Sequence, residues 1–434
     1  MLIEDLVLVS IDDHVVEPPN MFEQHVPARF SSQAPKVVRM ADGFEAWEFQ
    51  GEPIGMLGLN SVVSWPKDEW GLDPTGVAEM RPGAYDVHER VRDMNRNGVL
   101  ASMCFPTMPG FSGRVFQEAP DHDLSLIMLK AYNDWHIDEW CASYPGRFLP
   151  NAIGPIWDPI LLADEVRRVA AKGCSAISMP ELPHLHHLPG YGSDYWDPFF
   201  AACCDEGVVM NLHIGQGLRA ISQAPDSPAV DCMLVLATQV SMLSVQDLLW
   251  GPALRKYPAL KIAWSEGGIG WVPFMLDRAD RQYRNQSWTG QDFGGKLPSD
   301  VFREHALTCF TSDPTSLKLY DEIGIDIIAF ETDYPHSDCA WPNAPEELLE
   351  QCKRAKIPDG GIDKIAWKNA CRFYNHDPFA VVGREEGTVG ALRALATDVS
   401  VETVSKHEWR ARYDANPLYK IEDAPDVTAM AWRT

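Results

Sequence analysis

Eight short apolar or β-branched runs recur along this 434-residue chain, each ending in polar, glycine or proline residues. They are VLVSI (7–11), VLASMCF (99–105), FLPNAIG (148–154), CSAISM (174–179), VVMNLH (208–213), LKIAWSE (260–266), LTCFTS (307–312) and DIIAFETD (326–333). Helical patterns fall between them at 86–98, 123–144, 160–173, 197–207, 272–285 and 344–356, several closing on glycine. Strands that alternate with helices run parallel, because each helix carries the chain back across one face of the sheet. Eight repeats of that unit predict an α/β fold, a (β/α)8 TIM barrel. An open doubly wound sheet is the rival, and it ranks well behind because no GxGxxG follows the first run.

Three segments exceed this rhythm. Residues 1–375 are expected to form the barrel, with a long insertion at 20–85 after strand one and another at 214–259 after strand five. Residues 376–434 are expected to be a C-terminal extension packed on it. Loops of this length inside a compact domain serve a function or are disordered, and Trp47, Trp65 and Trp70 in the first insertion favour packing.

Composition narrows the function classes. A net charge of −25 argues against general nucleic-acid or anionic-membrane binding. No run approaches the length of uncharged apolar residues that a membrane span needs, and acids at positions 4 and 5 do not suit a signal peptide, so a cytoplasmic location is expected. Ten cysteines without CxxC spacing suit reduced, buried thiols.

The chemistry concentrates at the strand ends. Asp12, His14 and Glu17 fall at the end of the first run, His213 ends the fifth, Glu266 the sixth, and Asp333 with His336 the eighth. A barrel brings all these ends to one face. Asp12 and His14, two apart, are expected to point the same way, with Asp13 pointing to the other side. Imidazoles and carboxylates from four strands suit a transition metal, Zn, Mn or Fe. Asp12, His14, Glu17, His213, Glu266, Asp333 and His336 are therefore the candidate metal residues, and Glu266 and Asp333 the candidate catalytic ones.

Other features carry two readings each. His184, His186 and His187 have metal-like spacing but lie on an expected loop between Pro183 and Pro189. His136 shares a helix stripe with Tyr132 and Trp140 and is read as core. Arg278, Arg281 and Arg284 form either a basic ridge for phosphates or a solvated face. Trp264, Trp271, Tyr334 and Trp341 either line a large apolar pocket or pack in the core.

Taken in order, IDDHVVEPP, NLHIGQG, SEGGIGWVPFMLDRAD and ETDYPHSDCAWP resemble the amidohydrolase-related superfamily of TIM barrels over roughly residues 7–375. That resemblance implies a divalent metal held by Asp12, His14, His213 and Asp333. Where decarboxylases of the superfamily carry a histidine on strand six, this chain has Glu266. The extra carboxylate, Glu17 and the long insertions resemble the non-haem diiron monooxygenase branch that serves platensimycin and platensin biosynthesis. That branch implies two Fe ions, hydroxylation of a CoA-linked terpenoid- or steroid-like acyl substrate, and a separate electron donor. The alternative is a metal-dependent hydrolase or decarboxylase with one Zn or Mn ion. A metal-free binding barrel is a third class, disfavoured because such polar convergence is costly to desolvate. Assembly as a homo-oligomer is left open.

Overall fold

The expected strands close into a cylinder in the computed structural model, which describes residues 1–424 except 56, 72, 73, 222, 223 and 225. The chain begins with β1 (Val9–Val15) and makes a small antiparallel meander, β2 (Lys36–Arg39), β3 (Glu45–Phe49) and β4 (Glu52–Ile54). The remaining barrel strands are β5 (Ala101–Pro106), β6 (Asn151–Ile153), β7 (Ala176–Met179), β8 (Val209–His213), β9 (Ile262–Ser265), β10 (Ala306–Phe310) and β11 (Ile328–Phe330). β1 pairs with β5, and β6 to β11 pair in sequence order, all parallel. One seam is bridged by Ser102 against Phe148. The other closes through Asp333 N–H to the Asp12 carbonyl at 3.0 Å and His14 N–H to the Tyr334 carbonyl at 2.7 Å.

Parallel strands are covered on both faces, which is why they read as nearly continuous apolar runs. Val9, Ile11, Met103, Val209, Ala263, Leu307 and Ala329 fill the barrel interior, while a larger apolar layer packs the strands against the outer helices. The helices begin where the sequence supplies caps. Asp86 accepts from His88 N–H and Glu89 N–H at the start of Val87–Asn97, and Gly98 ends that helix at φ 78°. The single helix expected over 123–144 is instead His122–Trp135 followed by a π-helical stretch, His136–Cys141.

β1 departs from simple alternation. Between Ser10 and Asp13 it advances three residues while β5 advances two, from Ser102 to Cys104. This bulge places His14 opposite Phe105, on the interior face that Val9 shares with Ala101. Strict alternation from Val9 and Ile11 would have put Asp13 inside and His14 outside.

The insertions and the extension meet outside the barrel. β12 (Glu422–Asp423) adds to β2 in parallel, and Arg410 bonds Glu79 at 2.8 Å and Thr75 at 2.9 Å. Residues 425–434 of the expected extension lie outside the described residues. After β8 the chain forms helices Ala229–Leu236 and Thr238–Trp250. Among the described residues no single helix is long and apolar enough to cross a membrane. All ten cysteines are free thiols, mostly buried.

Candidate metal centre

His14, His213, Asp12, Asp333 and Glu266 meet at the C-terminal end of the barrel. His213 Nε2 stands 3.2 Å from His14 Nε2, 3.4 Å from Asp12 Oδ2 and 3.2 Å from Glu266 Oε2. His14 Nε2 is 3.7 Å from Asp12 Oδ1 and 3.2 Å from Asp333 Oδ1. His336 joins through Nδ1, 3.0 Å from Asp333 Oδ1, and its ring stacks on His14 with centroids 3.8 Å apart. His213 Nδ1 donates to the Ile214 carbonyl, since a carbonyl only accepts, so its Nε2 lone pair faces the cluster.

Two of these residues sit on strained backbone. Glu266 and Asp333 have φ of 54° and 52°, a region non-glycine residues seldom occupy. Glu266 N–H is held by Glu331 Oε2 at 3.2 Å and Asp333 N–H by the Asp12 carbonyl at 3.0 Å. Such conformations persist where surrounding bonds over-determine them, and they aim both carboxylates at one point.

The structure does not bring Glu17 into the cluster. Its carboxylate accepts Thr107 N–H at 3.0 Å and Met108 N–H at 2.7 Å, clamping the loop after β5. Burial pushes this carboxyl up to about 7. Glu17→Gln is expected to leave metal occupancy unchanged and to cost about 1–3 kcal/mol of stability, because an amide turns one acceptor into a donor facing an N–H. Metal analysis and denaturant unfolding of the variant measure both effects.

Asp13, as expected, turns away. It accepts from Ser102 Oγ on β5, from Thr332 Oγ1 and from Tyr334 N–H at 3.0 Å. Burial raises its carboxyl to about 6 against the opposing pull of Arg90.

Position decides between the readings left open. Trp264 is core and donates to Ser244 Oγ, Trp271 to the Gly267 carbonyl, Tyr334 to Asp93 and Trp341 to the Asp93 carbonyl, so these aromatics do not line the mouth. Arg278, Arg281 and Arg284 are exposed on the outer face of helix Trp271–Asn285, away from the cavity at the cluster. His184 is exposed, His186 buried and His187 in a left-handed turn, and the three form no metal cluster among the described residues. His136 stacks on Tyr132, and burial lowers its imidazole to about 4, a core residue as read.

Sequence reasoning missed Glu331 and Cys309. Both are buried and bonded to each other, and with Asp12 they form a second donor group beside the first. Glu331 stands two residues before Asp333, a spacing that marks one strand face, so the signal was present.

The electrostatics favour a neutralising charge here. Burial, with Asp333 adding repulsion, raises the Asp12 carboxyl well above its usual range, and burial raises Glu266 and Glu331 similarly. Burial also works against ionised Asp333, but His336 and His14 outweigh it and hold that carboxyl below its ordinary value. Burial lowers His14, keeping it neutral. Both carboxylate oxygens of Asp12 and Asp333 lack a hydrogen bond of good geometry, as do His14 Nδ1 and His336 Nε2. Buried lone pairs facing one another without a proton or counter-charge are costly. Asp12, His14 and His213, with Glu266, Asp333 and His336 alongside, fit a divalent ion that supplies that charge.

A family model described as Amidohydrolase matches residues 25–376. The chain belongs to the amidohydrolase family. Among curated amidohydrolase relatives, γ-resorcylate decarboxylase from Rhizobium sp. (strain MTP-10005) is 24% identical over 335 residues, 72% of this chain and 92% of the relative. The enzyme of the same name from Rhizobium radiobacter is 25% identical, covering 67% of this chain and 88% of the relative. Among solved structures, an amidohydrolase from Mycobacterium avium subsp. paratuberculosis K-10 superposes with a TM-score of 0.66 at 18% identity, covering 85% of this chain and 99% of that one. Dihydroxybenzoic acid decarboxylase from Polaromonas sp. JS666, which holds manganese and the inhibitor 2-nitroresorcinol, gives 0.56 at 22% identity, covering 71% and 90%. The structural likenesses establish the barrel fold.

These relatives overturn the monooxygenase expectation. They are decarboxylases, lyases rather than oxidoreductases, so the diiron branch, its CoA-linked substrate and its electron donor are withdrawn. Glu266 misled because an added carboxylate was read as added iron, and Glu17, counted with it, is spent on backbone amides. Two Fe ions lack support, whereas solved neighbours hold manganese.

Proposed function

We propose that this chain is a metal-dependent decarboxylase of a small aromatic carboxylic acid, working with one divalent ion such as Mn or Zn. The observation that carries this reading is the buried donor set of Asp12, His14, His213 and Asp333 at the barrel mouth, in which both carboxylates are without a hydrogen bond of good geometry. Decarboxylase relatives within the same family support it.

A divalent ion held by Asp12, His14, His213 and Asp333 would supply Lewis-acid polarisation of the substrate's oxygens. This chain's residues supply the rest. Glu266, Glu331 and Asp333 line a cavity of about 590 Å³ above the cluster. In the reaction the bond between ring carbon and carboxylate breaks, its electron pair stays on the ring carbon, that carbon takes a proton, and CO2 leaves. Glu266, part-exposed to the cavity and 3.2 Å from His213 Nε2, is placed to carry that proton. His336 Nδ1, 3.0 Å from Asp333 Oδ1, holds the Asp333 carboxylate in register. No oxidant or reductant enters the balance.

The protein loaded with Mn²⁺ is expected to release CO2 from hydroxyaryl acids such as 2,6-dihydroxybenzoate under strict anaerobiosis, and to lose turnover on chelation. CO2 release before and after chelation measures both. A requirement for oxygen, or no CO2 from any such acid, would sink the reading.

A further inference from the structure

The cavity above the metal cluster has two unlike walls. On the β9 to β11 side stand Glu266, Asp313, Glu331, Asp333 and Asp338. Facing them, the two long insertions contribute an apolar wall: Trp70 from the first, and Val230, Leu234 and Ala237 from the second. Val230 and Leu234 are four apart on helix Ala229–Leu236 and so share a face. They remain 46% and 60% exposed, and Trp70 37%. Large apolar side chains left open around a cavity mark a surface that a ligand covers.

Charge narrows that ligand further. The charged groups lining the cavity among the described residues are the carboxylates of Glu266, Asp313, Glu331, Asp333 and Asp338, which disfavour a second anionic group on the substrate. Asp313 is already committed to Ile269 N–H, Gly270 N–H and Ser316 Oγ, and exposed Asp338 adds negative charge at the rim. A dicarboxylate or a phosphate-bearing acyl carrier would meet repulsion from these carboxylates.

We infer that the site takes an aryl monocarboxylate bearing an apolar substituent, with that substituent seated against Val230 and Leu234. The carboxylate half of this statement rests on the decarboxylase reading. The wall's preference is a matter of binding and is measured without turnover. Each methylene buried there is worth about a factor of three to four in affinity, so a two-carbon substituent is worth about tenfold.

Calorimetry on the Mn²⁺-loaded full chain tests this with 2-nitroresorcinol, the same ring bearing an ethyl group, and the same ring bearing a carboxylate in its place. The ethyl compound is expected to bind about tenfold tighter than the parent and the carboxylate compound more weakly. In V230S/L234S the ethyl-to-parent ratio should fall towards one, while Phe274→Ser, on an exposed outer face, should leave the ratio as it is. Equal affinities in the unaltered protein, or a ratio untouched in V230S/L234S, would overturn the inference. Binding in the expected order without CO2 release would remove the decarboxylase reading and leave the wall's preference standing. No measurable binding by any of the three overturns both.

Discussion

Alanine at His213 is expected to remove the bound metal and lower turnover by more than about a hundredfold while the chain stays folded. His213 Nε2 lies within 3.4 Å of His14, Asp12 and Glu266, so it joins three other side chains of the cluster. Its Nδ1 bonds only the adjacent Ile214 carbonyl, so no distant backbone is hydrogen-bonded through that atom. Metal per chain, circular dichroism and CO2 release measured on one preparation decide the matter. Full metal occupancy in the variant would mean that the cluster is held from β1 and β11 alone.

Alanine at Asp13 is expected to act through the fold instead, costing about 3 kcal/mol or more through three hydrogen bonds lost from a buried carboxylate. Its carboxylate ties β1 to Ser102 on β5 and to Thr332 and Tyr334 beyond β11, and it opposes the buried charge of Arg90. Arg90 in turn donates to the Gly83 carbonyl at 2.6 Å and to the His14 carbonyl. Removing the carboxylate takes the acceptor from Ser102, Thr332 and Tyr334 N–H and loosens both edges that carry His14 and Asp333. Denaturant unfolding should show the loss, and metal affinity should fall with it. The milder Asp13→Asn, which keeps one acceptor, should retain part of both. A stability equal to that of the unaltered protein would show that the seam closes on its backbone bonds alone.

What the sequence determined by itself is the barrel and the set of groups at its mouth. Parallel strands buried on both faces must be written as apolar runs, and eight such runs separated by helices leave few topologies. Once the strands are parallel, His14, His213, Glu266 and Asp333 are brought to one end by topology, with no need to know the packing. Local patterns also settled His136 as core and Asp13 as turned away from Asp12.

Only the tertiary structure decided how those groups are aimed and what each is free to do. The bulge in β1 turns His14 inward, and it arises from pairing with β5, which no period within residues 9–15 records. Glu17 is withdrawn by amides ninety and more residues away, Thr107 and Met108. The tryptophans near the mouth find their polar partners in other elements and leave the cavity, whose apolar wall comes instead from Trp70 and the helix carrying Val230 and Leu234. A residue type at a strand end states which chemistry is available. Hydrogen bonds between segments far apart in the chain determine which of those residues are left unsatisfied, and the unsatisfied ones face the metal.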